Sequence, residues 1–402
     1  MSTTTPIQIT DEPRAGAGMR QLLRVDPLLL LAGVGLSCCS VVVLHALNVV
    51  NLYAGEYKRQ AIFAAVGVLL SLVMSRFDYS RLREFRYVVY GLMIVLNLAV
   101  FAFARPGGAG LQAQRRIPLP LMSFQSSAFG MVLLILALSA FAVERSRRMS
   151  EHRTTARILL LGLIPAMVVM AQSDLGDALI YVLIAVAVLF FLGTSWKHLA
   201  ALAGLAVVAA VISLTVAPAI GVNVLKSYQK QRLTTFLNPP AHCNPSKDPY
   251  CYQLDEGLIA LGSGQKTGTG PARASQATGG FIPEADSDFV FASLGEMYGF
   301  AGAAVVLSLY ALLIWRTLRI VTMAKNLYGT LIAGAILAMF MFQVFLTIGM
   351  NLGIMPVTGI PLPLMAYGGS SVITTFIAIG LLQSIYVQAR MASAGKARVL
   401  IV

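Results

Sequence analysis

Charge is what this chain has least of. Only 12% of its 402 residues are Asp, Glu, Lys or Arg, against roughly 25% in an ordinary soluble domain, which excludes a globule with a solvated shell on every side. Acids are the scarcer sign, 17 against 30 bases, for a net charge of +13. A surplus of that size would suit nucleic acid if it lay on one soluble face, but the basic residues punctuate apolar segments instead. Nucleic acid is therefore excluded as a partner. Histidine and cysteine are sparse as well. His45, His152, His198 and His242 are scattered, and no Cys/His spacing resembles a zinc site. Cys38 and Cys39 fall inside an apolar run and read as small packing residues. The segment GSGQKTGTG has the wrong spacing for a phosphate-binding P-loop and follows no strand. Residues 1–25 contain no apolar run, so the expectation is a flexible cytoplasmic tail and no cleavable signal peptide.

What fills the chain is hydrocarbon: 57% of it is hydrophobic, in long blocks. Windows able to cross a bilayer fall near 27–49, 57–75, 87–104, 126–143, 157–172, 175–194, 197–217, 292–315, 328–354 and 368–389. The expected fold is an all-α polytopic membrane protein of ten transmembrane helices, occupying residues 26–392 and ending in a second tail, 393–402. With the N-terminus inside, 19 of the 30 basic residues lie on cytoplasmic segments. The positive-inside rule then puts both termini in the cytoplasm and a large loop, 218–291, outside between the seventh and eighth spans.

Residues suited to chemistry concentrate near that loop. From Leu254 to Gly299 a glycine-rich run, able to approach a bulky polar ligand closely, leads to three carboxylates, Glu284, Asp286 and Asp288. They abut the apolar Phe289-Val290-Phe291, where desolvation can raise a pKa. Lys226, Lys230, Arg232 and Lys266 precede them, so cations able to hold a phosphate come before a carboxylate able to take a proton. Arg115 and Arg116 lie in another outer loop, where a cation needs an anionic partner or reaches the headgroups. The turn QSDLGD offers Asp174, as a substrate contact or a helix cap, and Asp177, with a structural role. Residues 353–371 hold three prolines, four glycines and no charge. Backbone of that kind survives at membrane depth only if buried in protein or lining a wet cavity. Cys243 and Cys251 flank NPSKDPY on the outer side, close enough in sequence to form a disulfide.

The segments FIPEADSDFVFASLGEMYGFAG and GIMPVTGIPLPLMAYGGSS resemble the two signature segments of the SEDS family (shape, elongation, division and sporulation; RodA/FtsW/SpoVE-type proteins). SYQKQRLTTFLNP, QSDLGDALI and QAQRRIPL are similar to further family pieces, in the same order. RFDYSRLREFRYVVY looks more like the elongation (RodA) branch. The resemblance implies a peptidoglycan glycosyltransferase that polymerises lipid II outside the cytoplasmic membrane of a bacterium, with a class B penicillin-binding protein as its transpeptidase partner. It implies Asp288 as the essential acid, here the base that deprotonates the acceptor sugar's 4-hydroxyl. Arg115, Lys226, Lys230 and Arg232 would then meet the departing pyrophosphate. No cofactor is implied with certainty, and a divalent cation stays open.

The chain departs from the family pattern at several points. Arg116 stands where the family has tryptophan, Ala128 where it has glutamate, Ser173 for proline, Asp286 for histidine and Met297 for a second glutamate. These differences keep a non-catalytic scaffold for a penicillin-binding protein as an alternative. A flippase for lipid-linked precursors is the other, though it would need charges lining a route through the bilayer, and the spans carry almost none.

Overall fold

Helix is the only regular structure a chain this apolar can carry across hydrocarbon without a closed barrel, because each backbone amide must be satisfied within its own segment. The computed structural model describes residues 25–48, 55–103, 117–118, 123–146, 152–211, 231–232, 236 and 249–399. They form an all-α polytopic membrane protein. Nine helices among the described residues are long and apolar enough to cross a membrane. They are α1 (Pro27–Leu47), α2 (Glu56–Met74), α3 (Arg86–Phe103), α4 (Ser126–Glu144), α5 (His152–Ala171), α6 (Leu175–Leu192), α10 (Val290–Met323), α11 (Leu327–Asn351) and α12 (Gly369–Val399). Among the described residues the remaining α-helices are α7 (Trp196–Val211), α8 (Pro249–Ser263) and the single turn α9 (Ser275–Thr278), and a 3-10 helix spans Tyr79–Arg83. Helix α7 covers the first part of the predicted span 197–217, whose remainder lies outside the described residues. Helices α8 and α9 stand where the sequence suggested open loop, and α12 continues beyond the expected boundary at 392. Before α4 a two-residue antiparallel ladder pairs Ile117 with Phe124 and Pro118 with Ser123.

One end of the bundle is tied by a buried ion pair. Asp26 caps α1, accepting from the amides of Leu28 and Leu29, and also takes Arg316 Nε of α10 at 2.8 Å. Gln383 of α12 brackets the same residue, accepting from Asp26 N at 2.7 Å and donating to Asp26 O at 2.8 Å. Three helices are thereby fixed in register.

At the opposite end α10 is broken. Its 34 residues would run about 51 Å as one helix, far beyond a hydrocarbon core of about 30 Å. The break falls at Gly299, with φ 62° and ψ −159°. The amides freed there find new acceptors: Phe300 N donates to Gln265 O at 2.9 Å and Ala301 N to Lys266 O at 3.0 Å. In return Thr269 N and Gly270 N donate to Glu296 O and Met297 O. This explains much of the glycine run. A Cβ on Gly264 would lie 1.9 Å from Gly295 O, so the close approach the sequence foreshadows is to another stretch of backbone. The Glu296 carboxylate, 1% exposed, accepts from Gln276 N and Ala277 N and holds α9 in place.

Candidate active site

The proline- and glycine-rich segment after α11 organises the site because several of the carbonyls it loses from helical pairing are taken up by side chains from other elements. Thr347 Oγ1 donates to Ile360 O, Tyr310 OH to Pro363 O, Ser40 Oγ to Met365 O and Gln60 Nε2 to Ala366 O, at 2.6–3.1 Å. Irregular backbone is thus buried in protein, as the sequence required of it at this depth. Once fixed, it can position other groups.

Arg232 Nη1 donates to Thr358 O at 2.8 Å, and its guanidinium lies 4.9 Å from the centre of the Tyr250 ring on α8. Asp288 reaches the same place from the turn before α10. A Cβ built on Gly359 would stand 3.2 Å from Arg232 Nη1 and 3.4 Å from Asp288 Oδ2. A cation and a carboxylate therefore meet over a floor without a side chain. Asn351, at the end of α11, fixes the carboxylate's backbone: its Nδ2 donates to Asp288 O at 3.0 Å while its Oδ1 accepts from Ala292 N.

Residues 283–289 are tight turn rather than strand, so Asp286 and Asp288 do not share an extended face. Glu284 sits at φ 56°, a region costly for a residue with a side chain. Its carbonyl accepts from Ser287 N and Phe289 N, and its Oε2 from Ser287 Oγ at 2.9 Å. Asp286 is 8% exposed, and its carbonyl accepts from Tyr367 N at 2.8 Å. Burial foremost, then the charges of Glu56 on α2 and of Glu284, push the Asp286 carboxyl up to about 7, with Asp288 adding to the effect. The Tyr367 hydroxyl is likewise raised, chiefly by burial and then by the charge of Glu56, with Arg59 of α2 acting against the shift.

Asp174, 2% exposed, is the N-cap of α6 and accepts from Asp177 N at 3.1 Å. Asp177 Oδ2 accepts from Ser127 Oγ at 2.5 Å and Gln125 Nε2 at 3.0 Å. The turn touches the site's floor, since a Cβ on Gly176 would lie 3.0 Å from Thr358 O. Lys266 is exposed in the turn that fills the break at Gly299. Arg115, Arg116, Lys226, Lys230 and Cys243 lie outside the described residues. Cys251 is disulfide-bonded and fully buried. Among the described residues no group of three or more His, Cys, Asp or Glu is arranged to hold a metal ion.

Glu56, Arg59, Asn351, Gly359 and Tyr367 are members that the sequence did not single out. Glu56 and Arg59 carried a usable signal: they are charges at the start of a span, on the side the positive-inside rule assigns to the loop.

Fold and site together define a polytopic membrane protein with a carboxylate and a guanidinium gathered at one end of its helices. The family model described as "Cell cycle protein" (FtsW/RodA/SpoVE) matches residues 21–391, and the chain belongs to that family. It is 32% identical over 373 residues to the peptidoglycan glycosyltransferase MrdB of Escherichia coli K12, covering 92% of this chain and 96% of that one. To the peptidoglycan glycosyltransferase RodA of Treponema pallidum it is 31% identical, covering 90% and 97% respectively. Among solved structures it is similar to a chain of a peptidoglycan synthase complex, described as coordinating polymerization and crosslinking. That match has a TM-score of 0.73 at 27% identity and covers 91% of this chain and 98% of the other.

Proposed function

We propose that this chain is a peptidoglycan glycosyltransferase that polymerises lipid II at the outer face of a bacterial cytoplasmic membrane. In this reading α7 begins a tenth span, both termini are cytoplasmic and the 218–291 segment is extracellular. The observation that carries the reading is the meeting of Asp288 and Arg232 over Gly359. Asp288 takes the proton from the 4-hydroxyl of the acceptor sugar as that oxygen attacks the donor's anomeric carbon. The bond from that carbon to the pyrophosphate breaks, and the polyprenyl pyrophosphate leaves with the electron pair. Arg232 meets the developing charge, where a fixed cation stabilises the transition state more than the ground state. Arg115, Arg116, Lys226, Lys230 and Lys266 are further candidates for the phosphates. Its partner is a class B penicillin-binding protein, which crosslinks what this chain polymerises.

Charged side chains of the described spans, such as Arg316 and Glu296, lie towards helix ends rather than in a line through the bilayer, which favours the transferase over a flippase. Purified chain, with and without its transpeptidase, is given labelled lipid II in detergent. Glycan polymer supports the proposal. Movement of lipid II across a liposome without polymer would point to the flippase, and neither result to a scaffold.

A further inference from the structure

The first turn of α4 has no acid of its own. Gln125 is its N-cap but makes no side-chain cap bond, and neither Asp nor Glu stands in that turn. Its third residue is Ala128, where the family has glutamate, and it is from this position that a carboxylate reaches back to a helix start. A carboxylate is there nevertheless, brought from another helix. Asp177 of α6, buried, accepts from Ser127 Oγ at 2.5 Å and from Gln125 Nε2 at 3.0 Å, so its charge meets the positive end of α4. Ala128 and Asp177 line one small cavity with Pro361, Pro363 and Thr374. The buried Thr374 hydroxyl has no hydrogen-bond partner among the described residues. A donor on this cavity is thus left without the acceptor that a longer side chain at 128 would supply.

What Asp177 holds bears on the reaction site. Its amide is tied to Asp174, the cap of α6, and Gly176 beside it packs so closely on the loop after α11 that an added Cβ would lie 3.0 Å from Thr358 O, the carbonyl that takes Arg232. Gln125, whose side chain Asp177 holds, donates from its amide to Ser370 Oγ at 3.2 Å, near the far end of the same loop. One carboxylate therefore braces the loop on both sides of Gly359, over which Arg232 and Asp288 meet. It acts through the loop rather than on the substrate. Resting on the polymerase reading, we infer that Asp177 is a positioning residue for the Arg232 and Asp288 pair, a carboxylate supplied by α6 in place of the acid that α4 lacks at 128.

Exchanging the two residues tests this. Polymerisation of labelled lipid II by the full-length chain is measured for the parent, Asp177→Ala, Ala128→Glu and the double variant, well below their melting temperatures, with thermal stability recorded for each. Asp177→Asn, of the same shape without the charge, replaces the alanine in every arm if the alanine variant does not fold. Asp177→Ala should lower the maximal rate about tenfold, since a small displacement of reacting groups suffices for that, and change the half-saturating lipid II concentration by less than about twofold. Ala128→Glu alone should also lose activity, because it sets a second carboxylate beside the first. Combined, the two substitutions should return the rate to within about threefold of the parent, the mark of coupled sites. Losses that simply add in the double variant overturn the inference. So does an Asp177→Ala chain that loses thermal stability but keeps the parental rate, for the carboxylate would then only anchor α4 to α6. Should the parent itself make no glycan, the polymerase reading falls and the exchange is judged on thermal stability, where recovery in the double variant supports it and additive losses overturn it.

Discussion

Arg232 and Asp288 share the bare side of Gly359, within 3.2 Å and 3.4 Å of where a methyl group would stand. The glycine is required twice over, because its φ is +72°. Space and backbone conformation thus both depend on one residue that carries no chemistry of its own.

Gly359→Ala should therefore lower glycan synthesis at least tenfold. Gly270→Ala is the control: it has the same kind of strain, φ +83°, but nothing within 4 Å of the added methyl. Each substitution costs about 1–2 kcal/mol in backbone strain, so thermal stability should fall alike in both. Equal activity of the two variants would mean that the space over Gly359 is not where reaction occurs.

Asp288→Asn should reduce polymerisation by roughly 10²–10⁴, the usual cost of losing a general base. Membrane insertion and binding of the transpeptidase should survive, since the residue is half-exposed in a turn and the Asn351 contact uses only its backbone. Near-parental polymer from this variant would remove Asp288 from its assigned role.

The spans were legible in the sequence because hydrocarbon thickness dictates block length, and α1 through α6 begin and end close to where the apolar windows do. The break at Gly299 was not, since a glycine inside an apolar run reads the same whether the helix continues or stops. The glycine run misled for a related reason: composition shows that a close approach is possible and leaves its partner unnamed, and here the partner is the backbone of α10. Asp288 and Arg232 were visible as residues able to do chemistry. Glu56 and Arg59 come from a different span, more than two hundred residues before Asp286, and only the packing of α2 beside the 353–371 loop unites them.

Asp286 makes stability depend on pH. Its carboxyl rises from an ordinary value of 3.8 to about 7 in the fold, so the folded chain holds this proton more tightly than the unfolded one does. The stabilisation it gives is complete below the unfolded value and lost as pH rises through about 7. The groups acting on it are Glu56 from α2, Tyr367 from the loop, and Glu284 and Asp288 from its own turn. Between pH 5 and 8 the parent should lose thermal stability relative to Asp286→Asn, whose curve lacks this slope. Asp286→His, which places a group of opposite charge there, should also move the pH of maximal activity. Superimposable stability curves for the parent and the asparagine variant would show that Asp286 does not titrate in this range.

Asp174 can be a substrate contact or a cap, and asparagine tells the two apart. It caps a helix about as well as aspartate but carries no charge. Asp174→Ala should cost about 1 kcal/mol of stability, and Asp174→Asn should restore it together with full activity. A stable asparagine variant with little activity would assign the carboxylate to the substrate instead.

The last prediction concerns Cys251, which is disulfide-bonded while Cys38 and Cys39 are free thiols. Cys243 is the proposed partner, because the chain has four cysteines and the NPSKDPY between these two is turn-forming. Cys251 lies in the first turn of α8 next to Tyr250, whose ring supports the Arg232 guanidinium from 4.9 Å. The bridge therefore does more than close a short loop, for which a model of chain entropy gives about 2–3 kcal/mol. It fixes the end of α8 that carries the platform for Arg232, so its loss should be felt at the pyrophosphate. Cys243→Ser, or reduction of the parent, should raise the lipid II concentration needed for half-maximal polymerisation while leaving the helical content unchanged. Non-reducing peptide mapping after thiol blocking decides the pairing. A linked peptide joining 243 to 251 is expected, whereas blocked cysteine at both positions would rule the pairing out and, with it, the argument that this segment faces an oxidising compartment.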